Sequence, residues 1–507
     1  MKVIIALFCF ALLSLPGQSQ ELAHFEGGKA MPYKQSSPCI SAAEYKMVDS
    51  VIRHNLKLLK YKKKHKSLQS GVMFDFPMLY SGSDCRYYNV SNYVDQNTAS
   101  GSIQDYNCGS ITYDGHLGTD LSIWPFDFWK MDSGQVNIVA AANGTIIAKD
   151  DGHYDRNCAM GNAPANYVIL LHSDGSTSWY WHMKSGSVTT LPLGSTVTVG
   201  TYLGKVGSSG SSTGPHLHFE VHTGNNSNTP VIDPFYKTGG CNLLNNSSWW
   251  NSQIAYNEGQ LAAVSTHLHP IQFQACPTTT PPAKNTCFRT VSDTVFIYLF
   301  GYNSNNNGPT LTIKRPNGTV YYTTGTGSTT YNGFYYYWYF IFPNGSPTGV
   351  WTVTGTFNSQ SCSTEFYLGN PAATINATIC ADSSYFFNGA NLNSTGIYLD
   401  TLTNAYGCDS VVTLNLTVNA LTFPIVDGGA GTWNWQGGQN TNWFNRCNWD
   451  KGTLPNLLSD VVIPGSTTRN PTIAGAAANC RTLTVNTTNG GKVTIDTSAG
   501  GVLNIDQ

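Results

Sequence analysis

The chain has 507 residues, and at about 150 residues per domain it is expected to divide into three or four domains. Charged residues make up 11% and aromatics 12%, against a usual ~25% charged, so the composition excludes a helix bundle or coiled coil and predicts a mainly β protein. A net charge of -2 gives no global pull toward nucleic acid or anionic lipid, and no nucleic-acid partner is expected.

Met1 to Ser19 carries one early base, Lys2, an apolar run from Val3 to Leu15, and Gly17-Gln18-Ser19 as a small-residue cleavage site. This order predicts a secretory signal peptide over residues 1–19. The run is too short to span a bilayer, and nothing later resembles an integral membrane segment. The expected location is therefore outside the cell, secreted or held at the surface or envelope. Of 13 cysteines, Cys9 leaves with that segment, and the even remainder in an exported chain predicts disulfides. No CxxC pair occurs, so cysteine-based zinc ribbons and thioredoxin-like redox chemistry have no support.

Residues 20–71 form a basic helical segment. Ser41 and Glu44 fit a capping box, and Tyr45, Val48, Ile52, Leu56 and Leu59 recur at helical spacing. The stretch from Arg53 to Lys66 holds bases and no acid; it reads as a solvated helix end, a pro-segment or an arm that docks on an anionic surface. Residues 72–275 change to short apolar runs separated by Gly, Asn and Asp, which predicts an antiparallel β domain. Residues 276–286 are rich in Pro and Thr and form an extended linker. Residues 287–368 are read as a small β-sandwich with an aromatic run from Phe334 to Phe340, and residues 372–419 as a further β repeat.

The last region, 425–507, contains Trp433, Trp435, Trp443 and Trp449, then Leu483, Val493 and Leu503 at a ten-residue period, which predicts short stacked strands. The period is still running at Gln507, so an incomplete piece of a longer protein is expected. Residues 287–507 hold no metal-type or acid-base cluster and are expected to localise the protein, with a cell-surface glycan as a partner stacked on their aromatics.

The chemistry concentrates before Gln274. Residues i and i+2 of a strand share a face, so His216 and His218 present both imidazoles to one side. His116 and Asp120 flank Gly118, where a turn would bring a nitrogen and an oxygen ligand together. Tyr180-Trp181-His182-Met183 supplies a further imidazole. Zinc takes His nitrogen and carboxylate oxygen, and three protein ligands leave one open position, the arrangement of a catalytic site. Isolated His153, His172 and His222 read as structural, and His267-Leu268-His269 as loop.

Gly115 to Asp120, Tyr180 to Met183 and Gly210 to Glu220 together resemble, in order, the motifs of the lysostaphin and beta-lytic metalloendopeptidase family, the LytM-like zinc peptidases of duplicated-hybrid-motif type. Ala142 to Ile146 and Val199 to Gly204 are similar too, and the resemblance covers roughly residues 100 to 235. It implies an antiparallel β peptidase domain binding one Zn2+ through His116, Asp120 and His218, with His182 and His216 acting on water and transition state. The implied substrate is peptidoglycan, cut at its peptide cross-links, or another protein. Zinc would polarise the scissile carbonyl and bring the pKa of its water toward ~7. With no HExxH motif, His182 and His216 are the available proton carriers, in either order. Two departures stand out: Met183 where the family has Leu, a volume-conserving change, and an insertion around Asp151 to Pro164 at the cleft wall.

Three rival readings remain. Gly210 to Gly214 matches GxSxG of serine hydrolases, but the alternating text after it predicts a strand where that elbow needs a helix. His218-Phe219-Glu220 gives the HxE of zinc deaminases without PCxxC. A surface adhesin or wall-binding protein with an inactive peptidase domain is the alternative from another class, since residues 372–507 resemble repeats in large surface proteins of gliding-type Gram-negative bacteria.

Overall fold

The computed structural model describes residues 24–26, 39–60, 71–97, 99–304, 307–325, 333–369, 372–380, 384–419 and 428–506. The predicted signal peptide and the basic stretch 61–66 lie outside the described residues. The fold is mainly β, as composition predicts, with sheets largely antiparallel through residue 368. The chain forms two compact units, residues 1–369 and 370–507.

The first unit is organised by an eight-stranded sheet. In spatial order it runs Tyr88–Asn92, Gly118–Ile123, His216–His222, Thr177–Trp181, Tyr167–Leu171, Gly144–Asp150 and Thr196–Val197, with Val231–Ile232 on the flank of His216–His222. His216–His222 reads His-Leu-His-Phe-Glu-Val-His and is buried throughout. Leu217, Phe219 and Val221 enter a core with Leu121, Val168, Leu170 and Tyr180. The alternation of a strand therefore turns all the polar residues of this one to the other face.

That second face is covered by α1, Ala42–Leu58. The predicted capping box is present: Glu44 N donates to Ser41 Oγ at 3.2 Å, and Ser41 N donates to Glu44 Oε2 at 2.9 Å. Val48 and Ile52 pack with Ile147, Ile169, Trp179 and Trp181, and burial of each contributes about 1.5–3 kcal/mol. Polar contacts fix the helix as well. Asn55 Nδ2 donates to Ile147 O at 2.9 Å, and Asp49 accepts from Ser227 N and Oγ at 2.8 and 2.7 Å.

A sandwich follows, built from a sheet ordered His24–Glu26, Gly333–Ile341, Thr294–Tyr302 and Gln260–His267, and a five-stranded sheet of residues between 287 and 368. Gln260–His267 lies before the expected linker, yet it pairs antiparallel with Thr294–Tyr302. The sandwich therefore draws one strand from the stretch ahead of 276–286. Disulfides Cys85–Cys362, Cys108–Cys241 and Cys158–Cys276 join distant parts of this unit. Cys158 places the 151–164 insertion against the segment that follows the peptidase strands. Cys39 and Cys480 take no disulfide, which departs from the even pairing expected of an exported chain.

In the second unit Ala372–Cys380, Asp409–Asn419 and Gly396–Thr403 form one sheet. Beyond it the short strands run parallel: Thr472 pairs with Thr494 and Ala477 with Val502, so successive turns of chain lie about 22 to 25 residues apart. The ten-residue period is a spacing within that longer coil. Trp433, Trp435, Trp443 and Trp449 are all buried in one core. Their faces are covered by protein, so these four rings are not available for glycan stacking. No helix among the described residues is long and apolar enough to cross a membrane.

Candidate metal centre

Asp120 and His218 sit directly opposite each other on adjacent antiparallel strands, and Trp181 lies opposite His218 on the other side. Opposed residues project to the same face with Cβ atoms about 4.5–5.5 Å apart. His116 arrives from the preceding loop, where Gly115 takes φ +72°, a left-handed conformation glycine adopts without steric penalty. Gly118 has a role other than the expected turn. It lies within the strand, and a Cβ there would come within 2.6 Å of the His218 ring and 2.9 Å of Phe219 O. Its missing side chain is the space His218 occupies.

The protonation of each ring follows from its partners, since a carbonyl oxygen or a carboxylate only accepts. His116 Nδ1 donates to Tyr93 O at 2.7 Å, which leaves Nε2 with its lone pair. His218 Nε2 donates to Glu220 Oε2 at 3.0 Å, which leaves Nδ1. Asp120 Oδ2 accepts from Asn92 Nδ2 at 3.0 Å, which leaves Oδ1. The three remaining atoms converge: His116 Nε2 to Asp120 Oδ1 is 3.2 Å, His218 Nδ1 to Asp120 Oδ1 is 2.9 Å, and His116 Nε2 to His218 Nδ1 is 3.2 Å.

Three acceptors this close are held together by a shared proton or a bound cation. Ligands about 2.0–2.2 Å from a tetrahedral zinc lie about 3.3–3.6 Å from one another, near the observed triangle, and nitrogen and carboxylate donors suit that ion. The supporting acceptors at Tyr93 and Glu220 orient the imidazoles as metal sites require. Zinc therefore fits the residues present. The electrostatics agree. Burial opposes charge on His116, yet the Asp120 carboxylate raises it to about 9. Burial likewise works against Asp120, but His116 and His216 hold its carboxyl well below the usual range. The point attracts positive charge.

His182 and His216 stand beside this triangle with ring centroids 4.5 Å apart. His182 follows the strand Thr177–Trp181 in a left-handed conformation, φ 65°, a strained backbone of the kind that collects at functional sites. Its Nδ1 donates to Ser209 O at 2.6 Å, and His216 Nδ1 donates to Gly214 O at 2.8 Å. Both Nε2 atoms are buried without a hydrogen-bond partner, an arrangement that costs free energy unless a ligand or substrate completes it. Burial and the neighbouring His216 lower the pKa of His182. Burial pushes His216 the same way, but Asp120 raises it.

The structure adds residues that sequence reading left out. Cys39 Sγ lies 2.8 Å from Tyr113 Oη and 4.0 Å from Asp120 Oδ1. Its sulfur belongs both to a cluster with His116, Asp120 and His218 and to one with His182 and His216, the donor atoms of each lying within 4.8 Å of one another. Burial and Asp120 act to raise the thiol pKa, but the neighbouring imidazoles of His218, His116 and His182 leave it well below its usual value. Glu220, noticed only as half of an HxE match, accepts from His218, from His222 and from Tyr45 Oη of α1 at 2.9 Å.

Of the histidines read as structural, His172 meets Asn143 O and Ser178 Oγ, His153 meets Asp150, and His222 meets Glu220 and Thr229 O. His267, expected in a loop, instead ends the strand Gln260–His267 and meets Ser265 and Ala283 O. Ser212 of the GxSxG match is buried, with Oγ donating to Gly214 O at 3.0 Å, and the strand His216–His222 follows it. The strand-to-helix elbow is missing. Met183 fills the core beneath Gly204, and the 151–164 insertion reaches the site loop through Gly161 N, which donates to Ser211 Oγ at 3.2 Å.

Residues 127–231 match the family model described as Peptidase family M23. The chain is 35% identical over 96 residues to the glycyl-glycine endopeptidase ALE-1 of Staphylococcus capitis, covering 18% of this chain and 26% of that protein. It is 31% identical over 93 residues to an uncharacterised metalloprotease of Haemophilus influenzae, covering 18% and 19%, and 37% identical over 78 residues to lysostaphin of Staphylococcus simulans, covering 15% of each. The similarity thus spans about a quarter or less of each relative. The catalytic domain of lysostaphin from Staphylococcus simulans aligns at 22% identity and a TM-score of 0.19, over 29% of this chain and 89% of that one. The matched segment contains His182, His216 and His218, and residues 127–231 are thus similar to peptidase family M23.

Proposed function

We propose that the domain is an exported zinc metalloendopeptidase that hydrolyses peptide cross-links of peptidoglycan, with His116, Asp120 and His218 holding one zinc ion. The observation that carries this reading is the common aim of four imidazoles. Each of His116, His182, His216 and His218 has one nitrogen fixed by a protein acceptor and the other turned toward the same small space beside Asp120. When bound, zinc supplies Lewis acidity to the scissile carbonyl and acidifies water.

The chain's own residues supply the proton movements. His182 Nε2, kept neutral by burial, accepts the proton of the attacking water. His216 Nε2 is placed to stabilise the developing oxyanion and to pass a proton to the leaving amine. Ser209 O and Gly214 O hold both rings in the tautomer these roles need. The buried surroundings of the cluster strengthen each interaction by excluding solvent. Surface localisation through residues 287–507 is part of the proposal, with the buried tryptophans excluded from it.

Digestion of purified peptidoglycan, followed by mass spectrometry of the released fragments, tests the reading. New amino and carboxyl termini that vanish with a chelator and return with zinc support it. Intact cross-links, or cleavage indifferent to chelation and to substitution of His182, would reject it.

A further inference from the structure

The N-terminal segment enters the site it precedes. We propose that Cys39 is a fourth protein ligand, whose Sγ closes the metal centre and keeps the full chain latent; this rests on the zinc reading of His116, Asp120 and His218.

The placement carries the argument. Cys39 Sγ is the donor shared by both clusters, so it stands between the metal triangle and the His182–His216 pair. That is where a water or a scissile carbonyl must sit to meet both. The Nε2 atoms of His182 and His216, each buried and without a hydrogen-bond partner, face this same cluster. Cys39 itself is buried and carries a thiol rather than a disulfide. Zinc accepts Cys sulfur beside His and carboxylate, and four protein ligands make a closed site where three leave an open one. On ligation the thiol proton passes to solvent as the sulfur–metal bond forms, and Tyr113 Oη, 2.8 Å away, is placed to donate to the resulting thiolate. The reverse step returns a proton to sulfur and reopens the position.

The segment is anchored to deliver that atom. The capping box begins two residues after Cys39, Val48 and Ile52 bury against the sheet, and Asp49 and Asn55 fix the helix through Ser227 and Ile147. Tyr45 Oη donates to Glu220, the carboxylate that also holds His218. One helix thus contacts the proposed ligand set through Cys39 and through the support of His218. Detachment of α1 would release both contacts together.

X-ray absorption of the zinc-loaded full chain reads the ligands without recourse to activity. One sulfur at about 2.3 Å beside nitrogen and oxygen is expected, with the sulfur lost in Cys39→Ser and zinc retained. Cys39→Ser should also hydrolyse a soluble peptide substrate at least tenfold faster than the wild-type chain. Zinc bound by nitrogen and oxygen alone in the wild type would overturn the assignment of Cys39 and leave the zinc reading intact. Sulfur that persists in Cys39→Ser would assign it to another thiol such as Cys480 and overturn the proposal. Sulfur at Cys39 with no gain of activity in the variant would overturn the latency. Absence of zinc from the wild type, or its full retention in His116→Ala, would instead overturn the metal reading itself.

Discussion

His218 is held from both ends: Nδ1 lies 2.9 Å from Asp120 Oδ1 across the strand pair, and Nε2 lies 3.0 Å from Glu220 Oε2 two residues along its own strand. Glu220 therefore sets which nitrogen faces the metal position. Loss of such a supporting carboxylate typically costs ~10–100-fold in metal affinity. Glu220→Gln should raise the zinc dissociation constant by about that factor, read by chelator competition, while circular dichroism confirms the fold. Unchanged affinity would show that His218 is oriented by packing alone.

Gly118 tests the same ring sterically. In Gly118→Ala the new methyl group meets the His218 ring and the Phe219 carbonyl, so the ring must shift away from its place opposite Asp120. Zinc content should drop well below one per chain. Gly161→Ala, whose Cβ would meet nothing within 4 Å, should retain full metal. Full retention in both would dismiss the close-approach argument.

His182→Ala and His216→Ala are expected to keep zinc and to lose ~10²–10⁴ in kcat, the usual contribution of acid-base groups. Metal analysis and turnover on the same preparations decide this. Near-normal hydrolysis by both variants would remove them from the chemistry.

The sandwich carries a pH-dependent element remote from the metal. Burial lowers the pKa of His267 from its ordinary value of about 6.5 to about 4. Between these values the unfolded chain binds a proton that the folded chain refuses, so stability is full above about pH 6.5 and falls as pH drops toward 4. At about 1.36 kcal/mol per unit this amounts to about 3 kcal/mol. Denaturant unfolding of wild type and His267→Gln at pH 7 and pH 4.5 measures it. The variant should lose less stability on acidification; equal losses would mean that His267 protonates freely when folded.

The chemistry legible in sequence was local. His216 and His218 lie within one motif, where the alternation of a strand suffices to place them on one face; His116 and Asp120 are also close in sequence, and the loop at Gly115 brings His116 to the strand that carries Asp120. α1 was equally legible, since its capping box and apolar spacing are short-range signals. Cys39 was not, because it meets Asp120 across 81 residues and only the docking of α1 brings them together. Glu220 gave a weak signal: a charged residue in a strand otherwise buried is expected to be paired, and His218 and His222 share its face of the strand, but its partner Tyr45 emerges only from the docking of α1. Gln260–His267 looked like the end of one domain because its pairing with Thr294–Tyr302 crosses the linker. The tryptophans after Gly428 were ambiguous for another reason. Composition cannot tell a core aromatic from an exposed one, and here all four are core.

The most direct test of the account is the zinc content of the purified full chain beside His116→Ala, Asp120→Ala and His182→Ala. About one zinc per chain is expected in the wild type and in His182→Ala, and loss of most of it in His116→Ala and Asp120→Ala. A wild-type chain without zinc, or triad variants that fold and keep it all, would contradict the assignment of the metal centre.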